Sequence, residues 1–62
     1  MKITLNGGIL EVPESSNVSD ALKKAGINQE TVLVKRAGEL IAEVETLREN
    51  DILETINVIS GG

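Results

Sequence analysis

The start of the chain places the strongest constraint on the fold, because it predicts a β-hairpin. Residues 1–6 alternate apolar and polar side chains, which is the period of a strand with one buried face. Asn6-Gly7-Gly8 follows, and Asn-Gly is the strongest short hairpin signal because both residues tolerate positive φ. Residues 9–12 alternate again before Pro13 closes the segment. We therefore expect two antiparallel strands joined by a tight turn.

The next segment predicts one short α-helix. Asn17 is a favourable N-cap residue, and Asp20 places a negative charge in the first turn, where the helix dipole stabilises it. Gly26 provides a left-handed stop. A helix of about two turns is not stable alone in water, so it must pack against a sheet. Its apolar positions form one stripe: Val18, Ala21, Leu22 and Ala25.

Three further strands are predicted after the helix, at residues 31–36, 40–44 and 52–59. Ala37-Gly38 forms the turn between the first two, and Leu47 anchors the loop that leads to the last strand. Two early strands, one helix and later strands indicate an α+β fold, with the helix on one face of a mostly antiparallel sheet. We take residues 1–59 as the domain and residues 60–62 as a flexible tail.

The composition restricts both the core and the class of function. The chain of 62 residues has no cysteine, histidine or aromatic residue. A disulfide and a structural zinc site are therefore not expected, and the core must be aliphatic. A net charge of −4 argues against nucleic-acid binding, and no apolar run approaches the ~20 residues of a membrane span. We expect a cytoplasmic protein, with nothing that demands more than a monomer.

The last predicted strand suggests a docking surface. A buried, unpaired carboxylate is costly, so Glu54 should point to solvent while Leu53 and Thr55 face the helix. By alternation, Ile56 and Val58 then lie on the solvent face beside Glu54. An exposed aliphatic patch of this kind is typical of a protein-binding surface. The alternatives are a bulge that shifts the register, or two surface aliphatic residues without a role.

Gly61-Gly62, which follows this strand, is a candidate site of covalent modification. We expect Gly62 to carry the terminal carboxylate, which two residues without side chains allow to enter a narrow channel. Ser60 would belong to the flexible tail, together with the two glycines. The alternative is a terminus at which the glycines are incidental. The chain has no obvious nucleophile–base pair for acyl transfer, and its paired acids are expected to be surface residues: Glu43 with Glu45, and Glu49 with Asp51.

The whole chain resembles the ubiquitin-like β-grasp fold and, more narrowly, the prokaryotic sulfur carriers of the ThiS and MoaD type and the archaeal small modifier proteins. The segments that carry the resemblance are residues 34–39, 47–51 and 58–62. Asn50 replaces a glycine that is usual in the family, and we expect the turn to survive because asparagine tolerates left-handed angles. The Val-Ile-Ser ending looks more like the thiamine branch than the molybdopterin branch.

The resemblance implies a carrier that partner enzymes modify, with no catalytic residues or bound cofactor of its own. A ThiF/MoeB-like adenylating enzyme would use ATP and magnesium to activate Gly62. Sulfur from a donor such as a cysteine desulfurase would then displace AMP to give a thiocarboxylate, which a downstream synthase uses. The resemblance leaves two other roles open, a modifier that forms isopeptides with target lysines and the small subunit of molybdopterin synthase. A third alternative is a binding module with an incidental Gly-Gly.

Overall fold

A computed structural model describes residues 1–58 and contains a five-stranded mixed sheet with one α-helix packed on one face. The strand order is β2-β1-β5-β3-β4, in which β1 and β5 are parallel and the other neighbours are antiparallel. The predicted α+β class is confirmed. The elements are β1 (Lys2–Leu5), β2 (Gly8–Glu11), α1 (Val18–Lys24), a 3₁₀ turn (Gln29–Thr31), β3 (Val32–Arg36), β4 (Glu39–Ile41) and β5 (Ile52–Asn57).

Both hairpins turn through two residues with left-handed backbone angles. Asn6 and Gly7 have φ values of 50° and 84°, and Ala37 and Gly38 have φ values of 54° and 82°. Two consecutive positive φ values define the type I′ turn, whose twist matches that of the flanking strands. The first hairpin is therefore confirmed. The second adopts the same geometry although the Cβ of alanine crowds the backbone in this region.

Asn17 caps the start of α1 as predicted, and Asp20 makes the cap reciprocal. The Asn17 Oδ1 accepts the Asp20 backbone N–H at 2.9 Å, and the Asp20 Oδ2 accepts the Asn17 N–H at 3.1 Å. Gly26 follows the helix with a φ of 74°. Ala25 was predicted in the apolar stripe but is exposed, because the helix ends at Lys24 and Ala25 is its C-cap.

An aliphatic core lies between α1 and the sheet. Its most buried large side chains are Ile3, Leu22, Leu53 and Val18, each with less than 2% of its surface exposed. Other buried members come from β1, α1, β3 and the loops: Leu5, Val12, Ala21, Val32, Val34 and Leu47. The prediction of a core built without aromatic rings is confirmed.

The prediction of a strand over residues 40–44 is wrong beyond Ile41. β4 covers Glu39–Ile41, and the chain then turns between Ala42 and Glu45. The reason is the start of α1, whose first N–H groups need acceptors. The carbonyls of Glu43 and Glu45 accept the N–H groups of Ser19 and Val18, at 2.9 and 3.0 Å. This segment therefore lies along the helix start instead of extending the sheet.

β5 is also shorter than predicted and ends at Asn57. Val58 adds one bond outside the strand, from its N–H to the Thr31 carbonyl at 2.9 Å. Ile59, the predicted last residue of this strand, lies outside the described residues. Asn50 has a φ of 67°, so asparagine takes the left-handed position in the turn before β5, as expected.

Candidate functional site

β5 is the central strand of the sheet and leads to the predicted tail. It lies between β1 and β3, with pairing on both sides. The tail residues Ser60, Gly61 and Gly62 lie outside the described residues. The described part of the candidate site is therefore the base of the tail: the end of β5, its exposed face and the surfaces next to Val58.

The Asn6 side chain holds β5 in place beyond the point where its parallel neighbour β1 ends. β1 pairs with β5 only through Thr4 and Leu5. Beyond that point, the Asn6 Oδ1 accepts the Thr55 N–H and the Asn6 Nδ2 donates to the Thr55 Oγ1, both at 2.9 Å. The Asn6 N–H also donates to the Leu53 carbonyl at 3.0 Å. The hairpin turn thus extends the ladder and fixes the strand that leads to the tail.

The sheet surface opposite α1, which we call the open face, includes Glu54 and Ile56. Glu54 lies opposite Lys35, and Ile56 lies opposite Leu33. Ile56 is 42% exposed and Leu33 is 44% exposed. Sequence reasoning did not include Leu33 and Lys35 in the patch. Strand alternation could have found them, because the buried residues of β3 are Val32 and Val34.

Val58 continues the pairing of β5 with β3, because its N–H donates to the Thr31 carbonyl. It follows the end of β5, is 40% exposed and lines a cleft of about 320 Å³ that we call the edge cleft. Neither Glu54 nor Ile56 lines this cleft. Leu33 lines the edge cleft and also pairs with Ile56, so the two surfaces meet there. The other described residues of the edge cleft are Leu22, Gln29, Glu30, Val32, Val34, Ile41, Ala42 and Glu43.

Three of the four paired acids that the sequence suggested were surface residues have structural contacts. Asp51 accepts the Arg48 N–H at 2.8 Å and lies 3.4 Å from the Arg36 guanidinium. Glu45 lies 3.6 Å from the same guanidinium, and Glu49 accepts the Lys2 N–H at 2.7 Å. Within residues 1–58, no three carboxylate, histidine or cysteine side chains converge as metal ligands would. None of the described helices has the length and hydropathy needed to cross a bilayer.

Known proteins resemble this chain in both sequence and fold, although no family model matches the sequence. The chain is 38% identical over 53 residues to the sulfur carrier protein TtuB of Thermus thermophilus, covering 86% of this chain and 82% of TtuB. The crystal structure of the thiamine biosynthesis protein ThiS from Geobacter metallireducens superposes with a TM-score of 0.76, at 30% identity over 100% of both chains. SAMP1 from Haloferax volcanii gives a TM-score of 0.61 at 21% identity, covering 98% of this chain and 97% of SAMP1.

The mixed sheet, the single helix and the central C-terminal strand define a ubiquitin-like β-grasp protein, and the likeness to SAMP1 supports this fold alone. The identity to TtuB extends over most of both chains, and the ThiS structure matches throughout. The chain therefore belongs to the ThiS/MoaD-type family of ubiquitin-like sulfur carriers.

Proposed function

We propose that this chain carries sulfur as a thiocarboxylate on Gly62, formed after a ubiquitin-activating-type enzyme has adenylated that residue. One observation carries the proposal: Gly61-Gly62 follows the central strand of a domain that is 38% identical to a sulfur carrier protein. The folded body acts as the recognition surface, and partner enzymes perform the chemistry.

The proposed reaction first makes the carboxylate of Gly62 reactive. A carboxylate oxygen attacks the α-phosphorus of ATP, with magnesium on the phosphates, and pyrophosphate leaves. A persulfide from a donor such as a cysteine desulfurase then attacks the acyl carbon, and AMP leaves. A thiol cleaves the resulting acyl disulfide and releases the thiocarboxylate. Gly61 provides clearance because it has no Cβ to meet the walls of the partner channel.

We propose a thiamine-like pathway as the destination of the sulfur. The support is the 30% identity to a protein named for thiamine biosynthesis, over the full length of both chains. A downstream synthase would take sulfur from the thiocarboxylate, and this chain would bind no cofactor itself. Because the proposed activation consumes ATP, we place the protein in the cytoplasm. We also propose that it acts as a monomer.

The proposed docking site for the adenylating enzyme consists of the open face near the end of β5 and the adjoining Val58. Ile56 and Leu33 provide exposed aliphatic surface, and Glu54 with Lys35 provides charge in the next pair on the same face, two residues along each strand. Aliphatic residues inside a polar rim are typical of protein interfaces. Their position at the end of the central strand would hold the tail in front of the active site.

Mass spectrometry of the chain isolated with its adenylating enzyme, ATP and sulfur donor tests this proposal. We expect an oxygen-to-sulfur exchange located on Gly62. Deletion of Gly62 should abolish the exchange, whereas Ser60→Ala, which leaves both glycines intact, should retain it. A Gly-Gly remnant on target lysines without any thiocarboxylate would favour the modifier role. An unmodified chain beside an active partner would contradict the proposal.

Complementation tests the acceptor pathway separately. We expect the gene to restore growth of a bacterial strain that lacks its thiamine-pathway sulfur carrier, and not of one that lacks the small subunit of molybdopterin synthase. The reverse result would assign the chain to the molybdopterin branch while leaving the thiocarboxylate on Gly62 intact.

A further inference from the structure

β3 has an edge that β4 leaves uncovered. Arg36 and Glu39 flank a two-residue turn, so they exchange both of their backbone hydrogen bonds. Alternate residues of a strand direct their backbone groups to the same neighbour. Val34 therefore also faces β4, where it pairs with Ile41. Val32 faces the same side, but β4 has already ended.

The contacts on the other side of β3 agree with this assignment. The Thr31 carbonyl accepts the Val58 N–H, so the odd-numbered residues of this segment face β5. The position opposite Val32 would belong to Glu43, whose carbonyl instead accepts the Ser19 N–H at 2.9 Å. Within residues 1–58, the N–H and carbonyl of Val32 therefore have no strand partner on the β4 side. Exposed strand edges of this kind are templates for pairing with another chain.

The edge cleft lies directly beside this uncovered backbone, since Val32 is one of its lining residues. Its apolar wall comes from the helix, the sheet and the base of the tail: Leu22, Val34, Ile41 and Val58. Glu30 and Glu43 also line it, and no lysine or arginine does so among the described residues. The cleft therefore suits an extended segment that combines an aliphatic side chain with a cationic one.

We propose that an extended segment of the adenylating enzyme adds to β3 at Val32 as a short strand in line with β4. Its aliphatic side chain enters the edge cleft, and its lysine or arginine meets Glu30 and Glu43. Strand addition gains affinity from main-chain hydrogen bonds and specificity from side-chain pockets. Leu33 lines the edge cleft and also belongs to the proposed docking face, so one enzyme covers both surfaces. The contact of that enzyme with Val58 fixes the start of the tail. This inference rests on the proposed function.

Hydrogen exchange of two backbone amides tests the inference. In the free chain, the Val32 amide should exchange at least about tenfold faster than the Val34 amide, which β4 covers. In the complex with the adenylating enzyme, the Val32 amide should slow by at least about tenfold, while the Val34 amide changes little. A Val32 amide that is already protected in the free chain, or one that the enzyme leaves unchanged, would overturn the inference.

A matched pair of charge reversals tests the predicted cation. Glu43→Lys should weaken binding of the adenylating enzyme by about threefold to tenfold, with a loss that shrinks at high salt. Glu14→Lys makes the same change at an exposed position away from the cleft and should have little effect. Equal losses in both variants would contradict the inference. If Gly62 is still converted to a thiocarboxylate while Val32 stays unprotected, this inference fails and the proposed function stands; absence of adenylation refutes the proposed function.

Discussion

The two faces of β5 have opposite environments although they alternate residue by residue. Leu53 has none of its surface exposed and lies in the core under α1. Its neighbour Ile52 is 65% exposed, and Ile56 on the same open face is 42% exposed. One strand thus contributes to the core through one set of side chains and leaves the other set exposed, which we propose serves recognition. Substitutions in adjacent positions can therefore separate the two roles.

The largest expected effect is on the inner face. Leu53→Ala should lower the free energy of unfolding by about 2–5 kcal/mol, since it leaves a cavity in a small aliphatic core. Ile52→Ala, one residue away, should cost less than about 1 kcal/mol because most of that side chain is in water. Chemical denaturation followed by circular dichroism measures both. Similar losses in the two variants would break the distinction between the faces.

A second test addresses the contact that holds β5 in place. Asn6→Ala should lower the free energy of unfolding by about 2–3 kcal/mol, because it strains the left-handed turn and removes both bonds to Thr55. Asn6→Gly keeps the turn geometry and removes only the side-chain bonds, so it should cost less. Chemical denaturation again gives both values. If the glycine variant is as unstable as the alanine variant, the loss comes from the bonds to Thr55 and not from the turn.

The outer face should affect binding without affecting the fold. Ile56→Arg should weaken the complex with the adenylating enzyme by about tenfold, or about 1.4 kcal/mol, while the unfolding transition stays near that of the unchanged chain. Glu14→Arg is the control, since Glu14 is exposed in the loop after β2 and lies outside both the proposed docking face and the edge cleft. Isothermal titration calorimetry gives the affinities. Unchanged affinity in the Ile56 variant would remove the open face from the docking site.

The smallest predicted effect lies at the turn between β3 and β4. Ala37→Asn should raise the free energy of unfolding by about 0.5–1 kcal/mol, because asparagine tolerates a left-handed φ better than alanine. The substitution reproduces the Asn-Gly pair of the first hairpin, whose φ values are within a few degrees. Affinity for the adenylating enzyme should not change. A destabilised variant would show that the native turn depends on a contact of Ala37 itself.

Local signals in the sequence predicted the elements that short-range chemistry controls. The first hairpin followed from Asn6-Gly7, and the helix start followed from Asn17 and Asp20, whose side chains bond each other's backbone. The outward direction of Glu54 followed from the cost of burying a carboxylate. The β-grasp arrangement came from resemblance, because strand alternation alone does not specify which strands are neighbours.

Long-range contacts account for what the sequence did not predict. β4 ends early because the carbonyls of Glu43 and Glu45 serve the start of α1, more than twenty residues earlier in the chain. The bonds between Asn6 and Thr55 join residues that are 49 positions apart. The position of Val58 in the lining of the edge cleft, together with Leu22 of the helix, also did not follow from strand alternation. The roles of Ser60, Gly61 and Gly62 stay predictions.

The central position of β5 has a consequence during synthesis. A ribosome makes both hairpins before it makes the strand that joins them, since β5 pairs with β1 on one side and β3 on the other. Neither hairpin can enter a common sheet until residues 52–57 emerge, so the non-local pairings form late. A nascent polypeptide that stops short of Ile52 therefore has no assembled five-stranded sheet on which to present the proposed docking face.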